Sequence, residues 1–228
     1  NLKVIEDSAE LIGQTYHGVP CGSFGDISTV SFYPNKHITT GEGGMILTND
    51  PHLARRCSEL RNLCFSDELP RFVHHDLGWN YRMTNLQGAL GLAQLERLQE
   101  FLKIKRHIGS TYHEGLKDLS CLQLPMKQTN YADNIYWVFG VVLKESVPFD
   151  AKEAMRRLSD IGVGTRPFFW GMHEQPVLRQ MGYFDNQSFE NCENLSRRGF
   201  YIPSGIALSN EELNLVIARV RSVFDEYC

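Results

Sequence analysis

The sequence predicts an α/β fold in two parts, the second smaller and α+β in character, and three observations lead there. Residues 2–5 form an apolar run that closes on Glu6-Asp7. That is the form of a parallel strand delivering acidic side chains to the carboxyl edge of a sheet, where α/β proteins keep their ligands. Two further strand-like runs, 26–33 and 45–47, flank a glycine-rich turn, and amphipathic helical patterns follow them. Past residue 105 the order becomes strand, helix, strand, helix.

Composition narrows the class. A chain of 228 residues, 42% hydrophobic and 22% charged, holds one large domain or two modest ones and has ample material for a core. A net charge of -4 argues against binding nucleic acid through phosphate neutralisation. No apolar run approaches a membrane span and no stretch reads as a signal peptide, so a cytoplasmic protein is expected. The six cysteines are scattered without a CxxC pair, and reduced thiols are the expectation. The eight histidines form no HExxH set, so no metal site is expected. The chain opens on Asn1 and enters a strand almost at once, and a parent protein with more sequence upstream is expected.

Taken in order, the strand at 2–5 leads to a short helix at 8–12, stopped by Gly13. Gly18, Pro20, Gly22 and Gly25 mark a loop. The next strand is stopped by Pro34, which has no N–H to give a ladder. Lys36 follows, then Thr39, Thr40, the turn Gly41-Glu42-Gly43-Gly44 and a second apolar strand, Met45-Ile46-Leu47. A lysine is thereby set on a tight loop between two strands expected to be buried. That suits an amine which must be held still and partly desolvated, as Schiff-base chemistry requires. Asp50-Pro51 reads as an N-cap with proline at the first helical position, and the helix over 51–64 lines up Leu53, Cys57, Leu60 and Cys64.

Residues 66–81 are loop-like, and Thr84 caps a long helix in which Leu86, Leu90, Ala93, Phe101, Ile104, Ile108, Tyr112, Leu116 and Leu119 recur at steps of three and four. Unbroken, it would run about 50 Å, with Gly109 as a possible bend. We read it as leaving one domain, 1–105, and entering the next, 106–228. There, a strand is expected at 136–143, a helix at 152–161 stopped by Gly162, a strand at 163–169 and a last helix at 213–224 opened by Ser209.

Asp7 at one strand end, Ser31 and Lys36 about another, and Asn80 before the long helix make a set that a pyridoxal phosphate site needs. A lysine attaches the cofactor, a carboxylate keeps the ring nitrogen protonated, and hydroxyl, amide and backbone N–H groups bind phosphate. The stretches VIEDSAE, GSFGDISTVSFYPNKHITTGEGGMILTND, GWNYRMTNLQGALGLAQLERL, IYWVFGVVL, GVGTRPFFWGMH and RRGFYIPSGIAL are spread over nearly the whole chain. Through them the chain resembles the sugar aminotransferases of the DegT/DnrJ/EryC1/StrS family, pyridoxal phosphate enzymes of fold type I (aspartate-aminotransferase-like). The stretch around Lys36 is most similar to the members that aminate C4 of a GDP-linked 4-keto-6-deoxy sugar.

The resemblance implies roles by position. Lys36 matches the cofactor-attaching, proton-shuttling lysine, and Asp7 the aspartate under the ring nitrogen. Glu10 matches a position near the ring hydroxyl, Ser31 a phosphate-binding serine, and Asn80 an asparagine that reaches the phosphate of a neighbouring subunit. Arg166 and His173 lie in a motif near the sugar-nucleotide pocket. It implies pyridoxal 5'-phosphate as cofactor, a nucleotide sugar and an amino donor (glutamate) as substrates, and a homodimer with shared sites. It also implies a partial large domain with a mostly parallel sheet, since the family's upstream phosphate donors precede the point where this chain begins.

Read singly, Asp7 also fits a helix cap, Ser31 a plain strand serine, Asn80 a turn, Arg166 a surface ion pair and His173 a packed, hydrogen-bonded histidine. Three other functions compete. A family dehydratase carries histidine where Lys36 stands. A non-catalytic relative would bind a sugar nucleotide only. A Rossmann dinucleotide binder needs the G-x-G-x-x-G that is absent here.

Overall fold

The computed structural model describes residues 2–228. The chain divides into two compact units, one running up to Lys103 and including Gln128–Trp137, the other comprising Ile104–Lys127 and Val138–Cys228.

In the first unit the strands are β1 (Ile5–Asp7), β2 (Thr15–Tyr16), β3 (Val19–Pro20), β4 (Ile27–Ser31) and β5 (Gly44–Leu47). β1 pairs in parallel with β4, Asp7 facing Thr29, and β4 pairs antiparallel with β5, Ser31 facing Gly44. β2 and β3 form a small hairpin. Helices α1 (Pro51–Leu60) and α2 (Asn85–Leu95) follow, and α3 (Leu98–Leu116) starts in this unit and continues in the second from Ile104. Asp50 caps α1 through the N–H groups of His52 and Leu53, and Thr84 caps α2, as the sequence predicts; Gln87 completes a capping box with Thr84. The core of this unit is Phe32, Ile38 and Phe101, with Ile12, Val30, Met83 and Leu98 against it.

Three expectations need correction here. Residues 8–12 form turns rather than a helix: the Asp7 carboxylate accepts the Ala9 N–H at 3.1 Å, a local bond that competes with a first helical turn. The long helix is two helices, broken at Glu96–Arg97 and not at Gly109, which lies inside α3. At the break Arg97 N–H turns back to the Gln94 carbonyl, and the Gln94 side chain is spent on the loop holding Thr39. Finally, β5 is not buried: Met45, Ile46 and Leu47 are 48%, 51% and 39% exposed, because β4 is its only neighbour among the described residues.

In the second unit β6 (Leu122–Gln123), β7 (Phe139–Leu143), α4 (Ala151–Asp160), β8 (Arg166–Pro167), α5 (Pro176–Gln180), α6 (Glu190–Arg198), β9 (Gly199–Ile202) and α7 (Asn210–Phe224) occur in that order. The sheet order is β6-β7-β9-β8, all antiparallel. The strand at 136–143 starts only at Phe139, and that at 163–169 shrinks to two paired residues. β9, for which no strand was expected, is the central partner of both. Tyr112, Phe139, Val141, Leu158, Phe200, Ile202, Leu213 and Phe224 are fully buried. Arg198 clips one end of the sheet by donating to the carbonyls of Leu143, Lys144, Val147 and Phe149.

Phe168 lies over two glycines. A Cβ on Gly199 would sit 2.2 Å from its ring and 2.6 Å from the Leu195 carbonyl oxygen, which cannot move aside without bending α6. Gly199→Ala should therefore destabilise the protein by about 1–3 kcal/mol, read as a lower denaturant midpoint with an unchanged slope.

The six thiols are not all free: Cys121 and Cys228 form a disulfide. They are 107 residues apart in sequence, and only the return of the chain after α7 brings them together. No local spacing reports such a pair. Among the described residues no helix is long and apolar enough to cross a membrane.

Candidate active site

The parallel pairing of β1 with β4 sets Asp7 and Ser31 at the same end of the sheet, with Asp7 opposite Thr29 and Ser31 two residues further on. Asp7 Oδ1 accepts from Ala9 N–H at 3.1 Å and from the Thr29 hydroxyl at 3.5 Å. The Ser31 hydroxyl accepts from Tyr33 N–H at 3.3 Å. Pro34 ends the strand, and a turn closed by Lys36 N–H to the Tyr33 carbonyl puts the lysine just beyond it.

The Lys36 side chain is only 10% exposed, although it stands on a loop. Its Nζ is 3.3 Å from Glu10 Oε1 and 4.1 Å from the centre of the Trp137 ring. The loop behind it is tied down by small residues and hydroxyls. The Thr39 hydroxyl and Thr40 N–H both donate to the Phe32 carbonyl, and Thr40 Oγ1 donates to the Glu42 carbonyl. Gln94 of α2 grips the backbone of Thr39 through both N–H and C=O. Gly43 has φ +146°, and a Cβ there would lie 2.6 Å from Thr40 Oγ1, which accounts for glycine in that turn. A solvated loop lysine would have none of this enclosure.

The structure thus brings Asp7, Glu10, Ser31 and Lys36 to one end of the sheet. Asn80 is placed separately in the first unit, bridged antiparallel to Asn62, with Trp79 and Tyr81 hydrogen-bonded to Leu60, Leu63 and Arg61 beyond α1. Trp79 and Tyr81 are 50% and 72% exposed. Arg166 and His173 belong to the second unit. Arg166 is an exposed residue of β8 facing Tyr201 in register. His173 is buried, with Nε2 3.1 Å from Glu193 Oε1 and its ring edge-on to Phe189.

One cleft in the first unit, about 810 Å³, is lined by Val30, Gly43–Ile46, Arg61, Arg82 and Met83 among others. Neither Lys36 nor Asp7 lines it, so the chemistry is assigned from the side-chain constellation and not from cleft size.

Two residues escaped the sequence reading. Trp137 sits in the stretch read as a strand, and nothing local shows that it returns to the lysine. Glu6 reads as half of an acidic pair, but alternation along β1 turns it away from Asp7 and toward the loop at 22–25. Its carboxylate accepts from the N–H groups of Gly22 (2.6 Å), Phe24 (2.8 Å) and Gly25 (3.2 Å), and from the hydroxyls of Ser8 and Ser28. Partial burial opposes its ionisation, but the bonds from Gly22, Phe24, Ser8 and Gly25 outweigh it and hold the carboxyl below its ordinary value of 4.5.

A depressed folded-state value stabilises the fold above about pH 4.5, and that contribution fades as the pH falls through the folded value. Glu6→Gln should cost about 1–2 kcal/mol at pH 7, the lower end for charge-assisted bonds because solvent screens part of it. Denaturation at a series of pH values should show the deficit shrinking below pH 4.5.

An enclosed lysine just past β4, a carboxylate at the end of β1 and a hydroxyl on β4 define a site able to hold a carbonyl cofactor with an anionic group. The family model of the DegT/DnrJ/EryC1/StrS aminotransferases matches residues 1–221, and the chain belongs to that family. Pyridoxal phosphate is the cofactor that membership indicates, and the donor set at Lys36 fits it. A GDP-perosamine synthase of Escherichia coli O157:H7 is 36% identical over 99% of this chain and 59% of its own length. A dTDP-4-dehydro-2,6-dideoxy-D-glucose 3-dehydratase of Saccharopolyspora spinosa is 29% identical over 96% of this chain and 53% of its own. Among solved structures, the aminotransferase TlmJ from Streptoalloteichus hindustanus superposes with a TM-score of 0.88 at 28% identity, over 99% of this chain and 59% of that one. These values describe the fold-type I architecture expected from the sequence. The chain spans somewhat under two thirds of the length of these relatives.

Proposed function

We propose that the full protein is a pyridoxal phosphate-dependent aminotransferase that moves an amino group from glutamate to C4 of a GDP-linked 4-keto-6-deoxy sugar. The observation that carries this reading is Lys36 itself, enclosed to 10% exposure beside Glu10 and Trp137 at the sheet end that also holds Asp7. A dehydratase of this family would have histidine there. Similarity to a GDP-perosamine synthase supports the choice of sugar and nucleotide.

Bound pyridoxal phosphate supplies an electron sink for charge released at the substrate carbon. The chain's own groups do the rest. Lys36 attaches the cofactor and, when detached, carries a proton between donor and acceptor positions as a general base and acid. Asp7 places a negative charge that favours a protonated ring nitrogen. The Ser31 hydroxyl donates to phosphate, and the Glu10 carboxylate orients the Lys36 amine and the ring hydroxyl. Arg166 and His173 are assigned to the sugar nucleotide, Arg166 as the exposed cation suited to a diphosphate.

Supplied with glutamate and the GDP-linked keto sugar, the full protein should release 2-oxoglutarate and the amino sugar nucleotide in equal amounts. A deoxygenated sugar with no nitrogen gained would identify a dehydratase instead, and no product at all would point to the non-catalytic reading.

Asn80 is assigned to the phosphate of the neighbouring subunit in a homodimer. Trp79 and Tyr81 beside it are exposed, in keeping with an interface. Mixing Lys36→Ala protein with Asn80→Asp protein should then restore up to a quarter of wild-type activity, since random pairing makes about half of all dimers mixed and each holds one intact site. No recovery above the sum of the parents, despite verified mixed dimers, would place Asn80 in its own chain.

A further inference from the structure

The indole of Trp137 meets the lysine loop twice. Its Nε1–H donates to the Asn35 carbonyl at 3.0 Å, fixing the residue before the lysine, and its ring face lies 4.1 Å from Lys36 Nζ. The ring is itself anchored by its own segment. The Ile135 carbonyl lies 3.0 Å from His37 Nε2, and the Tyr131 carbonyl accepts from His17 N–H at 2.8 Å. A cation over an indole face gains more as water is excluded, and the Lys36 side chain is 10% exposed.

We propose that Trp137 is a positioning residue that holds the detached Lys36 ammonium, and so sets the balance between cofactor attached to Lys36 and cofactor merely bound beside it. The inference rests on the reading of Lys36 as the attachment lysine. In attachment an ammonium and an aldehyde condense. A C=N bond forms, the carbonyl oxygen leaves as water with two of the nitrogen's protons, and the third stays on nitrogen, so charge and electrons balance. A compact ammonium suits the ring face and the Glu10 carboxylate, whereas the condensed nitrogen is planar and joined to a bulky group. Trp137 therefore favours the detached state. Pyridoxamine phosphate carries an amine in place of the aldehyde, cannot condense, and leaves the ammonium where it is.

The test compares dissociation constants of pyridoxal phosphate and pyridoxamine phosphate for the cofactor-free full protein, by calorimetry. In Trp137→Leu the ratio of the two, pyridoxal over pyridoxamine, should fall roughly 2- to 30-fold. Trp137→Phe keeps a ring face and should stay within about twofold of wild type. Fluorinated tryptophan at position 137 alone keeps shape and N–H while draining the face of negative charge. It should lower the ratio in the same direction, whether or not the leucine variant folds. An unchanged ratio in the leucine or fluorinated protein overturns the proposal, as does an equal weakening of both ligands. A wild-type protein that forms no reducible adduct at Lys36 overturns the reading of the lysine itself, which borohydride reduction and peptide mapping of the loaded wild-type protein decide first.

Discussion

Lys36→Ala should leave the full protein without visible absorbance from attached cofactor, without an adduct after borohydride reduction, and with turnover reduced by about four orders of magnitude or more. Lys36→Arg should be no better, because a guanidinium stays protonated and is a poor nucleophile. The outcome is not a formality, since the chain holds a second enclosed lysine. Lys105 is 6% exposed, and burial pushes its amine down to about 8, so a larger share of it is free base at neutral pH. Lys105 donates to the Ser204 carbonyl at 2.7 Å in the second unit. Peptide mapping of the reduced adduct decides between them, and a label on Lys105 would remove Lys36 from its assigned place.

Asp7→Asn should lower turnover about 100-fold or more while weakening cofactor binding much less. The substitution is informative because its structural cost is small. Both observed contacts of Asp7 use Oδ1 as an acceptor, from Ala9 N–H and the Thr29 hydroxyl, and an asparagine oxygen can accept both. What disappears is the negative charge. Near-normal turnover with an unchanged denaturation midpoint would show that Asp7 is only the cap of the turn at Ala9.

The caps were legible because they are written in short windows. Asp50-Pro51, Thr84 with Gln87, and Ser209 with Glu212 each carry their signal within four residues, and all three open helices. The lysine loop was legible for the same reason, proline stop and glycine turn standing within ten residues of each other. Its enclosure was not. The groups that meet Lys36 come from positions 10 and 137, and no periodicity links them to residue 36. The break between α2 and α3 was hidden likewise, because Gln94 bonds the loop at Thr39 while the helical pattern runs on without a gap. β9 was missed because Gly199 begins it, and glycine ordinarily counts against a strand. The Cys121–Cys228 pair and the Glu6 hub belong to the same kind, long-range meetings of residues that look ordinary where they stand.

The ten residues Gln128–Trp137 belong with a body whose main stretch ends at Lys103. For recombination between relatives this sets where crossovers are tolerated. A single joint within α3 would import a foreign version of the segment that lies against His17, Asn35 and His37, and with it a foreign partner for the lysine. Chimaeras that exchange the second body while retaining 128–137 from the first parent keep those meetings intact. The sequence thus alternates between the two bodies in four pieces.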